Sequence, residues 1–156
     1  MVADVVQGRG MKISAKGLYG LHVMLELALR HGAGPVVVAT LAKRQGLPPK
    51  YLPILMGRLR GAGLVTAQRG PSGGFILARS PGAISALEIV EALEGPLAPP
   101  SSRDMRSSGD AAGTRAIGNL LSGADEIYRQ ALAKQSLADL AATTRSLAHA
   151  GEGYSI

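Results

Sequence analysis

The stretch Leu47–Phe75, LPPKYLPILMGRLRGAGLVTAQRGPSGGF, limits what this 156-residue chain can fold into more than any other. Pro48-Pro49 suits the start of a helix, where a fixed φ is an advantage and the missing N–H loses no bond. Tyr51, Leu52, Leu55, Leu59 and Ala62 supply a stripe at helical spacing, and Gly61 and Gly63 bracket the end, so a helix is expected over residues 48–62. Pro53 removes the bond to the carbonyl of Pro49 and is expected to bend the first turn. Leu64–Gln68 reads as a strand, Arg69-Gly70-Pro71-Ser72-Gly73-Gly74 as a turn, and Phe75–Ala78 as the returning strand. A two-stranded hairpin is not stable alone, so it must pack on helices.

Helices are expected on both sides. Ser14 can cap one that runs to about Arg30, with Leu18, Leu21, Leu25 and Ala28 or Leu29 as its apolar face, until His31-Gly32-Ala33-Gly34-Pro35 stops it. His22 and His31 read as ordinary side chains of that helix and its end. A short helix near Val38–Gln45 turns Val38, Leu41 and Ala42 inward. The break at Gly46 is short enough to set the next helix at a steep angle, as in a helix-turn-helix. Ser85-Ala86-Leu87-Glu88 has the form of a capping box heading a helix to about Glu94, with Leu87, Ile89 or Val90, and Leu93 inward. Glu88, Glu91 and Glu94 share one side of it and read as a solvated face. From Ala116 to about Lys134, Ile117, Leu120, Leu121, Ala124, Ile127, Tyr128 and Leu132 form a stripe wider than a small domain needs, and dimerisation is its natural use. A second box, Ser136-Leu137-Ala138-Asp139, heads a last helix with Leu137, Leu140 and Leu147.

The expected fold is mainly α with a small β-hairpin wing: a winged helix-turn-helix followed by a long C-terminal dimerisation helix. The expected division is a disordered extension at 1–10, a winged domain at 11–95, a flexible loop at 96–115, dimerisation helices at 116–148 and a tail at 149–156.

Charge is divided unevenly. Residues 1–79 hold 11 Lys/Arg and 2 Asp/Glu, a net +9; residues 80–156 hold 6 and 9, a net −3. The first half is suited to a polyanion and the second to protein. There is no cysteine, which excludes disulfides, thiolate catalysis and cysteine-ligated metal. With three histidines and no zinc-like spacing, no nucleophile–base pair or metal site stands out, so neither an enzyme nor a cofactor is expected. The glycine-rich turn lacks the Lys-Ser/Thr ending of a phosphate loop and lies between strands. No apolar run is long enough for a membrane span and residues 1–10 do not resemble a signal peptide, so a cytoplasmic protein is expected.

Double-stranded DNA is the polyanion that a helix followed by a wing fits. The start of the 48–62 helix would lie at base edges in the major groove, presenting Pro49, Lys50 and Tyr51. Thr40 and Lys43 on the preceding helix, and Lys12 and Lys16 near the first, are placed to reach phosphates. Arg69 begins the wing and suits a narrow minor groove; Gly70, Ser72 and Gly73 allow its tip to approach the backbone. Arg58 and Arg60, late in the helix, read as solvated or paired within the protein. The rival from another class is a winged-helix module that contacts only protein.

Several motifs together resemble the Rrf2 family of bacterial winged-helix regulators. They are Met11–Gly20 (MKISAKGLYG), Leu41–Leu47 (LAKRQGL), Lys50-Tyr51-Leu52, Leu59–Val65 (LRGAGLV), Arg69–Arg79 (RGPSGGFILAR) and Glu88–Gly95 (EIVEALEG), covering about residues 11–97 with a weaker match at Ser136–Leu140. The resemblance implies a homodimeric transcription factor, usually a repressor, on a palindromic operator, with a long C-terminal helix crossed or swapped between subunits. It matches Tyr51 to a recognition-helix tyrosine and Arg69 to the wing arginine of the minor groove. The chain departs from the family in three places. Many members hold an iron–sulfur cluster through three cysteines in the loop equivalent to Gly95–Thr114, and this loop has neither Cys nor His. Pro53 stands where a base-reading glutamate occurs, and Val37 where a capping Ser or Thr is common. The expected signal is therefore a small effector or a partner protein rather than a cluster, or there is none.

Overall fold

The computed structural model describes residues 13–44, 46–95 and 111–152. The expected extension at 1–10, with Lys12, most of the 96–115 loop, and the end of the tail lie outside the described residues. The elements in order are α1 (Ala15–Leu29), α2 (Val38–Arg44), a 3-10 turn (Pro49–Tyr51), α3 (Leu52–Gly61), β1 (Val65–Gln68), β2 (Gly74–Leu77), a 3-10 turn (Pro81–Ala83), α4 (Ala86–Glu94), α5 (Ala111–Ala133) and α6 (Leu137–Glu152). The fold is mainly helical with one antiparallel hairpin, in which Val65 pairs with Leu77 and Gln68 with Gly74.

The caps form where polar side chains precede apolar runs. Ser14 accepts from the N–H of Gly17 at the start of α1. At α4, the N–H of Glu88 donates to Ser85 Oγ (3.3 Å) while the N–H of Ser85 donates to Glu88 Oε2 (2.9 Å), a complete capping box. Ser136 and Asp139 repeat it ahead of α6, at 3.1 and 2.9 Å.

One core joins all of these helices except α5. Met24, Leu27, Leu55, Leu59, Leu64, Ile84, Ile89, Leu93, Leu137 and Ala141 are among its buried members. In α1 the buried face is Gly17, Gly20, Val23, Met24, Leu27 and Ala28, not the expected Leu18, Leu21 and Leu25, which are half-buried. The reason is steric. A Cβ at Gly20 would overlap Leu93 Cδ1, and one at Gly17 would lie 2.5 Å from Glu94 Oε1, so the glycine face is where α4 comes closest. A stripe of leucines is a hydropathy signal, whereas the closest contact follows the smallest side chains.

Three further expectations are corrected. The glutamates of α4 are not a solvated face: Glu88 pairs with Arg79 (2.7 Å), Glu91 with Arg129 (2.5 Å), and Glu94 accepts from Ser14 Oγ (2.5 Å), so each ties α4 to a different element. The C-terminal long helix begins at Ala111, earlier than Ala116. The last helix, expected among the dimerisation helices, packs into the chain's own core. Leu137 and Ala141 are fully buried in the winged domain's core, and the start of α6 is held beside the start of α4 by Ala86 N–H to Gln135 O (2.8 Å) and Leu137 N–H to Ile84 O (2.9 Å).

Burial alone would raise the pKa of the Glu88 carboxyl, but the hydrogen bonds from Ser85 and Arg79 outweigh it and hold it below its ordinary value of 4.5. A lowered carboxylate pKa contributes stability above the ordinary value and loses it as pH falls through the lowered one. Glu88→Gln is therefore expected to lower the urea-unfolding free energy at pH 7 by on the order of 1 kcal/mol, the scale of a lost helix cap. The gap from the wild type should close as the wild-type carboxylate protonates at acid pH.

Candidate nucleic-acid interface

The segment between α2 and α3 sets out the candidate surface. The expected single helix over 48–62 is divided in two. Tyr51 N–H donates to Pro48 O at 3.0 Å, and Leu52 N–H donates to Pro49 O, an i to i+3 pattern. Pro53 is the cause, because it has no N–H to offer the Pro49 carbonyl, which the Leu52 N–H takes instead. Pro49, Lys50 and Tyr51 therefore occupy a tight turn ahead of α3 rather than its first α turn. Nor does Tyr51 belong to the core stripe: it is 48% exposed, and Ala62 is exposed beyond the helix end. The buried face of α3 is Leu55, Met56 and Leu59.

Lys50 and Tyr51 act as a pair. Lys50 Nζ lies 5.1 Å from the centre of the Tyr51 ring, in range of a cation–π contact. Tyr51 in turn borders a groove of about 360 Å³ shared with Ser14, Lys16, Tyr19, Leu47 and Leu55. Lys16 of α1 and Tyr51 thus meet on one surface, although they are far apart in sequence. Thr40 and Lys43 are exposed on α2. Arg58, by contrast, turns inward and donates to the carbonyl of Leu93 at 2.8 Å.

The hairpin tip carries Arg69, Gly70, Pro71 and Ser72, all exposed. Gly73 N–H donates to Gly70 O at 2.9 Å, closing a four-residue turn. Gly70 has φ of 120°, a conformation open to glycine and strained for other residues. The hairpin is also fastened close to its tip by a residue that hydropathy did not single out. Val36 N–H donates to Phe75 O and Phe75 N–H to Val36 O, both at 2.9 Å, so the linker before α2 acts as a third short strand. Two bonds of this kind are a signal that only the folded chain supplies.

The electrostatics favour an anionic partner. From Ile13 to Arg79 the only carboxylate is Glu26, and it pairs with Arg30 on α1. Among the described residues, Lys16, Lys43, Lys50 and Arg69 take part in no ion pair.

This combination of helix, turn and wing matches known proteins. The sequence fits the Rrf2 family, described as Iron-dependent Transcriptional regulator, over residues 13–143. The chain belongs to the Rrf2 family. The HTH-type transcriptional regulator CymR of Bacillus subtilis is 48% identical over 89 residues, 57% of this chain and 64% of that protein. The HTH-type transcriptional regulator IscR of Citrobacter koseri is 42% identical over 84 residues, 54% of this chain and 52% of that protein. The chain thus spans between half and two thirds of the length of these curated relatives. Among solved structures, that of CymR, the global cysteine regulator of B. subtilis, superposes with a TM-score of 0.71 at 36% identity, covering 86% of this chain and 98% of that one. The structure of T. potens IscR gives 0.68 at 35% identity, covering 94% and 93%. Rrf2 proteins of this kind are transcriptional regulators, not enzymes.

Iron held by cysteines does not fit this Rrf2 chain, because it has no cysteine. Among the described residues no three His, Asp or Glu side chains are grouped to hold a metal. No helix among them is long and apolar enough to cross a membrane.

Among the described residues, one side of α5 is exposed. Ile117, Leu120, Leu121 and Ile127 are 54%, 71%, 39% and 72% exposed, and Ala124 is exposed between them. Tyr128 and Leu132, assigned to the same stripe from sequence, are half-buried toward the chain's own α4 side, with Arg129 reaching Glu91. The Tyr128 phenol pKa is raised by burial and then by the nearby Glu94 and Asp125.

A Cβ at position 74 would lie 2.5 Å from the carbonyl oxygen of Val36. Gly74→Ala should therefore break the Val36–Phe75 bridge. Hydrogen exchange is expected to show at least tenfold faster exchange of the Val36 and Phe75 amides, with the Leu27 and Leu59 amides of the core unchanged; unchanged protection of Val36 would refute the bridge's role.

Proposed function

We propose that this chain is a sequence-specific DNA-binding transcriptional regulator that acts in the cytoplasm as a homodimer, and that it represses by occupying a palindromic operator. The observation that carries the reading is the set of unpaired cations, Lys16, Lys43, Lys50 and Arg69, on a half-chain whose one described carboxylate is already paired. Its roles follow from place. Lys50 and Tyr51 enter the major groove with Pro49 alongside. Lys16, Thr40 and Lys43 contact phosphates, joined by Lys12 from beyond the described residues. The wing carries Arg69 into the minor groove, while Gly70, Ser72 and Gly73 bring its backbone close to the strand.

The outer face of α5 is the dimer contact, through Ile117, Leu120, Leu121, Ala124 and Ile127. Tyr128 and Leu132 support the helix from within. A two-fold dimer would place two half-sites about one or two helical turns apart. The signal is not a cysteine-ligated cluster. It is a small effector between the winged domain and the C-terminal helices, or a protein docking on the acidic second half. The likeness to a global cysteine regulator makes sulfur metabolism a natural context, without deciding between these inputs.

Arg69→Ala tests the interface. At about 150 mM salt its operator affinity should fall roughly tenfold or more, and the slope of log affinity against log salt should fall by about one. The thermal midpoint should stay unchanged, since Arg69 is exposed and unpaired. Full affinity in this variant would remove the wing from the interface; no salt dependence in the wild type would favour a protein-binding module instead.

A further inference from the structure

The outward face of α3 is an unusual one for a surface meant to read polar base edges. Within α3, Pro53, Ile54 and Gly57 are all exposed and share one side at i, i+1 and i+4, whereas Leu55, Met56 and Leu59 are buried. None of the three offers a side-chain hydrogen bond. Ile54 is 55% exposed. On the side of Pro53 that carries Leu52 and Met56 lies an apolar recess of about 310 Å³, between the start of α2, α3 and the hairpin, lined by Val37, Ala39, Leu52, Pro53, Met56 and Phe75. Val37 is itself 55% exposed at the start of α2. Gly57 adds an independent sign. A Cβ there would meet nothing within 4 Å, so packing within the chain does not require a glycine. Glycine in a helix interior nonetheless costs about 1 kcal/mol relative to alanine. A glycine at that point leaves room for a group from outside the chain to come close.

Charge indicates what it is. The patch follows Lys50 and Tyr51 directly in the chain, and among the described residues Glu26 is the one carboxylate of this half, so an apolar protein partner would have to dock near unpaired cations. A DNA major groove supplies phosphates for the rim and, at its floor, one kind of apolar group: the 5-methyl of thymine. We propose that this protein reads its operator chiefly through thymine methyl groups, with Ile54 and Pro53 as the contacting residues, Val37 at the edge of the recess, and Gly57 allowing the helix to sit deep. This rests on the DNA-binding reading above and specifies what its base contacts are.

The test uses the full-length protein and two forms of one duplex, taken from the sequence it enriches from a random pool. One form carries thymine and the other deoxyuridine at the same positions, which removes the methyls but keeps pairing and phosphates. Wild-type protein should bind the uracil form more weakly, by roughly fourfold for each contacted methyl, the value of one buried methylene-sized group. Ile54→Ala should bind the thymine duplex more weakly and distinguish the two forms less, with its thermal midpoint unchanged. Gly57→Ala should raise the thermal midpoint while lowering affinity for the thymine form. Equal wild-type affinity for the two duplexes would overturn the inference while leaving DNA binding intact, and would leave the patch to a protein surface. Loss of all binding, including to the enriched duplex, would overturn the DNA reading and this inference with it.

Discussion

The close approach of α1 to α4 is the contact on which the rest of the structure depends. Leu93 is fully buried where α1 presents Gly20, and Glu94 meets α1 at Ser14 and Gly17. The carbonyl of Leu93 also takes the guanidinium of Arg58 from α3. One turn of α4 thus fixes the start of α1 and the far end of α3. The arrangement uses glycine in a helix, where it is unfavourable by about 1 kcal/mol against alanine, because no larger residue lets the helices meet. With α1 and α3 anchored at this turn, the surface bearing Lys16, Lys50 and Tyr51 is held by the core rather than by the loop itself.

That placement explains how a small chain can present so much charge without internal neutralisation. Among the described residues the first half has one carboxylate, Glu26, paired with Arg30, and those of α4 each hold a neighbouring element: Arg79, Arg129 or Ser14. The cations at the surface are left for an external anion. The apolar residues divide in the same manner. Most fill one core, and among the described residues the large exposed ones gather mainly in two places, the region of Val37, Tyr51 and Ile54 and the outer side of α5, with Leu147 alone on α6. In this account the first faces DNA and the second a second copy of the chain.

Local signals in the sequence carried the elements well, because caps and breaks act within four residues. Ser14, Ser85 and Ser136 mark helix starts that the structure contains, and the glycine-rich turn marks the hairpin. Long-range pairings were not legible. The row Glu88, Glu91, Glu94 looked solvated, since nothing local shows that Arg129 or Ser14 will arrive beside it. The glycine face of α1 lost to a leucine stripe that hydropathy weights more heavily. Val36 gave no hint of its bridge to Phe75. Pro53 did signal a disturbed first turn, but only the bonding pattern shows that Lys50 and Tyr51 leave the helix altogether. The residues proposed to contact DNA come from charge and order in the sequence, and Lys16 and Tyr51 line one groove; the apolar character of α3's outer side was hidden among residues assigned to no role.

The Rrf2 architecture and the absence of cysteine leave one proposed task for this chain, binding DNA as a dimer without a cysteine-ligated cluster. Selection of bound duplexes from a random pool at physiological salt tests that most directly. The account predicts enrichment of a palindromic site whose half-sites are about one or two helical turns apart. A pool that shows no enrichment, or an enriched sequence without two-fold symmetry, would contradict it.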